Sequence, residues 1–145
     1  MNSIHDRIEG LVNEFPKNMT WEERYKKIMA MGRNMPAMDE AHRTETNKVK
    51  GCQSQVWFHV DLKEGHLYFQ GDSDASIVKG IVALLFKVYD GASIDEVLST
   101  KPDFLETIGL RQHLSMSRAN GLTAMVKQIG LYALAFKARA QMEQK

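Results

Sequence analysis

The chain has 145 residues, 43% hydrophobic and 26% charged, with 19 Lys and Arg against 18 Asp and Glu and a formal net charge of +1. This composition suits one soluble domain, residues 1–145, large enough to bury a core, and it lacks the basic stripe of a nucleic-acid binder. No apolar run approaches the roughly 20 residues of a membrane span, the N-terminal stretch is not of the secretory kind, and one cysteine beside nine methionines fits a reducing cytoplasm.

Ile4, Ile8, Leu11, Val12 and Phe15 recur at helical spacing and Pro16 ends the pattern, which predicts a first amphipathic helix. The next stretch, "TWEERYKKIMAMG", reads as a second. Thr20 and Glu23 have the spacing of a capping box, Trp21, Tyr25, Ile28 and Met29 continue one apolar face, and Gly32 marks the end. Periodicity then fades. Pro36 and the polar run "DEAHRTETNK" predict a loop, with a short strand near residues 47–50. In "SQVWFHVD", Val56, Phe58 and Val60 alternate with Trp57, His59 and Asp61. "KEG" supplies a turn into "HLYFQG", where Leu67 and Phe69 resume the alternation, so an antiparallel hairpin with one covered face is expected.

In "GDSDASIVKGIVALLFKVYDG", Asp72, Ser73 and Asp74 offer capping oxygens and negative charge at a helix start. Ile77, Ile81, Leu84, Leu85 and Val88 give that helix a broad apolar face, and Gly91 ends it. Ser93 and Glu96 repeat the capping-box spacing for a short helix through Leu98, and Pro102 precedes another brief turn. A long final helix is expected from Ser117, with Leu122, Met125, Val126, Ile129, Ala133 and Phe136 as its buried stripe and a frayed tail after Arg139. Helices, a small sheet and helices again make an α+β arrangement with helices packed on the sheet.

The only cysteine, Cys52, follows Gly51 at a loop–strand junction in "KVKGCQSQVWF". A free cysteine is often no more than a small buried hydrophobe. Two features set this one apart: Gly51 allows a backbone conformation that other residues avoid, and Lys50, Gln53 and Ser54 form a polar, mildly electropositive setting expected to lower the thiol pKa. Gln53 and Ser54 either orient the sulfur or satisfy loop backbone. His5, His42, His59, His66 and His113 have no metal-ligand spacing, and no second cysteine exists, so no metal site is expected. His59 and His66 are placed to approach each other across the hairpin, on a solvated face. A Cys/His hydrolase with His113 as base has no motif to support it. Arg118, in the first turn of the last helix, opposes the helix dipole. It is either held by a partner such as the acidic "GDSD" turn or solvated, and Asp72 and Asp74 either cap a helix or meet a basic partner surface.

Three stretches, "GCQSQVW" (residues 51–57), "QGDSDASIVKGI" (70–81) and "LSMSRANGL" (114–122), resemble in order the signatures of the SufE family, and "WEERY" (21–25) extends the likeness toward the N-terminus. The resemblance implies a SufE/IscU-like α+β fold, with a small antiparallel three-stranded sheet covered by helices and the cysteine on a loop at the sheet's end. It implies a sulfur acceptor and carrier of iron–sulfur cluster assembly, with Cys52 as the persulfide acceptor. Sulfur would come from a pyridoxal-phosphate cysteine desulfurase of the SufS type, stimulated in return, and pass to SufB of the SufBCD scaffold. No cofactor is expected on this chain. Gly51, Gln53, Ser54 and Arg118 are the implied supporting residues, and Asp72 and Asp74 the implied partner contacts. "LSMSR" departs from the family where threonine or proline is common, leaving Ser117 and Arg118 in place.

A lone thiol suits a carrier, because a second cysteine would expel the transferred sulfur by forming a disulfide. Scaffolds of the same fold use several cysteines. A CsdE-like acceptor serving a CsdA-type desulfurase, a non-catalytic desulfurase-binding regulator, and a homodimer all stay open.

Overall fold

A computed structural model describes residues 3–143. Helix α1 covers Ile4–Asn13 and α2 covers Trp21–Asn34. Both begin at side-chain caps. The Ser3 hydroxyl accepts from the Asp6 N–H. Thr20 and Glu23 close their box reciprocally, at 3.1 and 2.9 Å. Helix α2 does not stop at Gly32 as expected. It continues for two residues, and Gly32 lies instead where α2 crosses α3, Ser76–Tyr89. A Cβ on Gly80 would stand 2.3 Å from the Ile28 carbonyl oxygen, and one on Gly32 would stand 2.7 Å from the Gly80 nitrogen. The helices meet backbone to backbone, which only glycine permits.

Strands β1 (Val56–Lys63) and β2 (His66–Ser73) pair antiparallel, with Val56 opposite Ser73 and Lys63 opposite His66. The two residues between them, Glu64 and Gly65, have φ of +51° and +80°, as a tight primed hairpin turn requires. One sheet face packs on α3: the rings of Phe58 and Phe69 lie 5.2 and 5.3 Å from that of Phe86. Segment 35–49 crosses the other face and places the Arg43 guanidinium 5.1 Å from the centre of the Trp57 ring.

The expected third strand is absent among the described residues, and the sheet has two strands. Residues 47–50 contribute a single bridge between Lys48 and Trp57. Its hydrogen bonds run from the Val49 N–H to the Val56 carbonyl (2.8 Å) and from the Phe58 N–H to the Asn47 carbonyl (2.9 Å). Gly51, at φ +91°, turns the chain away directly afterwards and prevents the pairing from extending.

Beyond α3 come α4 (Ile94–Ser99), opened by the expected Ser93–Glu96 capping box, then α5 (Phe104–Ile108) and α6 (Leu110–His113), which join at Gly109. Helix α7 spans Met116–Glu143. It starts before Ser117 because Ser115 serves as its first acceptor: its carbonyl takes the Ala119 N–H at 2.8 Å and its hydroxyl the Arg118 N–H at 3.4 Å. The segment after Arg139, expected to fray, stays helical to Glu143, with an Arg139–Glu143 ion pair one turn apart. Helix α3 is central, and Ile81, Val82, Leu84 and Leu85 are inaccessible to solvent. Among the described residues, no helix is long and apolar enough to cross a membrane.

Candidate functional site

The loop carrying Cys52 is fastened at both ends. Upstream, Val49 is buried and bonded to β1. Downstream, the Gln55 N–H donates to Asp74 Oδ1 (3.0 Å), and the Gln55 carbonyl accepts from Ser73 Oγ (2.7 Å) and from the Asp74 N–H (3.3 Å). Ser73 and Asp74 therefore pin the loop base instead of capping α3. Strand β2 runs through Ser73, and α3 begins behind Ala75 with no side-chain cap. Asp72, the third residue expected as a cap, is the buried penultimate residue of β2. Between the two anchors, Gly51 holds a left-handed conformation, and a Cβ added to it would stand 3.2 Å from that of Ala124 on α7.

Cys52 is half-buried. Its Sγ points at α7, 3.6 Å from the Gly121 carbonyl oxygen, at the reach of a weak thiol donor. Beside it lies a cleft of about 410 Å³, walled by the loop (Cys52, Gln53, Ser54), by Val78 and Ile81 of α3, and by Ser115, Ser117, Arg118, Gly121 and Met125. Burial pushes the thiol pKa up. This reverses the expectation drawn from its polar neighbours. Gln53 and Ser54 line the cleft, whereas the sulfur packs against a helix, and the lost hydration of a thiolate outweighs them.

Gly51, Cys52, Gln53, Ser54 and Arg118 thus come together at one end of the sheet, beside the start of α7. Arg118 is not held by the acidic turn: its Nη1 donates to the Tyr25 hydroxyl on α2 at 3.2 Å. Asp72 is only 5% exposed, and its carboxylate is taken up by Arg43, by Lys79 at 3.3 Å and by the Ser73 N–H at 2.8 Å. Asp74 is exposed. His113 does not line the cleft. It stacks on Trp21 with ring centres 4.6 Å apart, and its Nδ1 lies 2.8 Å from the Gly109 carbonyl, so it cannot act as a base on Cys52. His59 does not approach His66 either; it stacks on His42 at 3.5 Å, while His66 bonds the Gly91 carbonyl. Among the described residues, no three His, Cys, Asp or Glu side chains gather as metal ligands.

Sequence reasoning assigned no role to Arg43 or Arg24, and to Tyr25 only a place on the apolar face of α2. Nothing marked Arg43 within a polar loop. Within "WEERY" the sequence showed a capping box and an apolar face but not the partners distant in the chain. Trp21 stacks on His113, Glu23 closes the capping box, Arg24 binds the carbonyls of Met19, Pro16 and Ile108, and Tyr25 holds Arg118.

These features define a class: a helix-covered antiparallel hairpin that presents one thiol on a braced loop above a small polar cleft. Residues 9–133 match the SufE family, described as an Fe-S metabolism associated domain, and the chain belongs to that family. It is 40% identical over 129 residues to an uncharacterized SufE-like protein of Rhizobium meliloti, covering 84% of this chain and 91% of that one. A second uncharacterized SufE-like protein, from Synechocystis, is 39% identical over 135 residues, covering 93% and 85% respectively. The solution structure of a hypothetical protein from Thermus thermophilus shares the fold, with a TM-score of 0.74 at 22% identity over 89% of this chain and 94% of that one.

Proposed function

We propose that the chain is a cytoplasmic sulfur acceptor and carrier. It takes persulfide sulfur from a SufS-type, pyridoxal-phosphate cysteine desulfurase onto Cys52, stimulates that enzyme by clearing its sulfur, and delivers the sulfur to the SufB subunit of a SufBCD-type scaffold. The chain holds no cofactor of its own. In the acceptance step the Cys52 thiolate attacks the terminal sulfur of the desulfurase persulfide. A new S–S bond forms at Cys52, the old one breaks, and the desulfurase cysteine leaves as a thiolate.

The observation that carries this reading is the placement of the only cysteine: half-buried against α7, on a braced loop, beside a cleft with room for a second sulfur. At rest the thiol is protonated and sheltered, because burial raises its pKa. Lifting the loop from α7, about Gly51, rehydrates the sulfur and favours the nucleophilic thiolate. Folded back, the same loop shields the persulfide from water and reductants. Asp74, exposed at the loop base, is the acidic residue open to a partner, whereas Asp72 is buried and taken up by Arg43 and Lys79.

Intact-mass spectrometry tests the reading. Wild type and Cys52→Ser are incubated with the organism's cysteine desulfurase and free cysteine, without reductant. One added sulfur on wild type, absent from Cys52→Ser and removed by a thiol, is the expected result. No added sulfur, from a desulfurase of demonstrated activity, overturns the carrier reading in favour of a binding regulator. A CsdA-type partner in place of SufS would load Cys52 in the same experiment, and running both enzymes distinguishes them.

A further inference from the structure

Arg118 is the only charged side chain lining the Cys52 cleft, and it pairs with no carboxylate among the described residues. A cation beside a thiol would ordinarily draw it toward the thiolate. Here each group has a partner of its own: Nη1 of the guanidinium donates to the Tyr25 hydroxyl at 3.2 Å, while the sulfur faces the Gly121 carbonyl. The acceptor is well fixed. The Tyr25 ring packs against the core and lies edge-on to Trp21, with centres 6.3 Å apart, and Trp21 is clamped in turn on His113. The donor is an exposed, flexible side chain that one hydrogen bond parks.

We infer that Tyr25 is a positioning residue that holds the Arg118 guanidinium off Cys52 in the free protein and keeps the resting thiol unreactive. The burial that raises the thiol pKa is then left without an opposing charge. Anything that breaks the Tyr25–Arg118 bond, such as a partner docking on the exposed start of α7, frees the cation. It can then turn toward the sulfur as the thiolate or the persulfide anion forms. Resting protection and assisted ionisation would so be two positions of one side chain. The purpose of this device rests on the carrier reading. Its test does not, because alkylation requires neither a desulfurase nor transferred sulfur.

The experiment measures the rate of Cys52 alkylation by iodoacetamide against pH. Wild type, Tyr25→Phe, Arg118→Gln and the double variant are compared, with circular dichroism confirming that each is folded. Phe retains the packing on Trp21 and removes only the acceptor. Tyr25→Phe is expected to move the pH–rate midpoint down and to speed alkylation near neutrality. The gain is about threefold for each unit of pKa lost, since tenfold more thiolate is partly offset by its lower nucleophilicity. Arg118→Gln and the double variant should show no acceleration. An unchanged or slower Tyr25→Phe overturns the inference. So does an acceleration that persists in the double variant, because Tyr25 would then act through something other than Arg118. If Tyr25→Phe fails to fold, Arg118→Lys takes its place. It keeps the charge but loses the guanidinium reach to Tyr25, so the same acceleration is expected and its absence overturns the inference.

Discussion

Replacing Gly51 by alanine tests both the backbone of the Cys52 loop and its proposed movement. Gly51 sits at φ +91°, and an added Cβ would stand 3.2 Å from that of Ala124. An L-residue held in the left-handed region costs about 1–2 kcal/mol, and the tight contact with α7 adds to that. At about 2–4 °C per kcal/mol for a chain near this size, a fully retained loop predicts a fall in Tm of roughly 3–8 °C. A second route is open, because the loop is firmly anchored at Val49 and Gln55 and held between them by the weak Cys52–Gly121 contact. It can relieve the strain by lifting from α7, and Cys52 would then be more solvated. The thermal loss would be smaller and alkylation of Cys52 faster. The assay is therefore paired: Tm by calorimetry together with the alkylation rate, followed by single-turnover sulfur uptake from the desulfurase. Where the loop is retained, uptake should slow, because alanine restricts the backbone freedom about which the loop lifts. A variant with wild-type Tm and wild-type alkylation would refute the strain argument, and wild-type sulfur uptake would remove Gly51 from the hinge role.

Two further outcomes follow from the same geometry. Asp72→Asn keeps the side-chain shape but leaves Arg43 and Lys79, each about a third exposed, without their shared carboxylate. A loss of about 1–3 kcal/mol in urea unfolding is expected; unchanged stability with weakened desulfurase binding would instead make Asp72 a partner contact. The second concerns alkaline pH. Burial pushes the Tyr89 hydroxyl up to about 12 from an ordinary value of 10. The unfolded chain therefore loses this proton first, and stability should fall as pH rises from 10 toward 12. Urea midpoints measured across that range in a Cys52→Ser background, which removes the thiol's own titration, should decline more steeply with Tyr89 than with Tyr89→Phe.

What the sequence alone determined lies within short windows. Both capping boxes, Thr20 with Glu23 and Ser93 with Glu96, formed as spaced, since a cap needs only a side chain and a backbone N–H three residues apart. The antiparallel hairpin followed from the alternation on either side of "KEG". The isolation of Cys52 beside Gly51 was likewise plain, as were the three stretches that carry the family likeness. The tertiary structure decided whatever depends on partners distant in the chain. Gly32, read as a helix end, is a helix crossing because Gly80 meets it. Asp72 is internal because Arg43, in a loop without periodicity, reaches it across the sheet. The short first strand shrank to one bridge because Gly51 turns away. The direction of the thiol pKa shift was misread for the same reason. Lys50, Gln53 and Ser54 are its neighbours in sequence, but the helix that strips its water begins more than sixty residues later. Hydration and charge act through space, and the contact between Tyr25 and Arg118 exists only once the chain has folded.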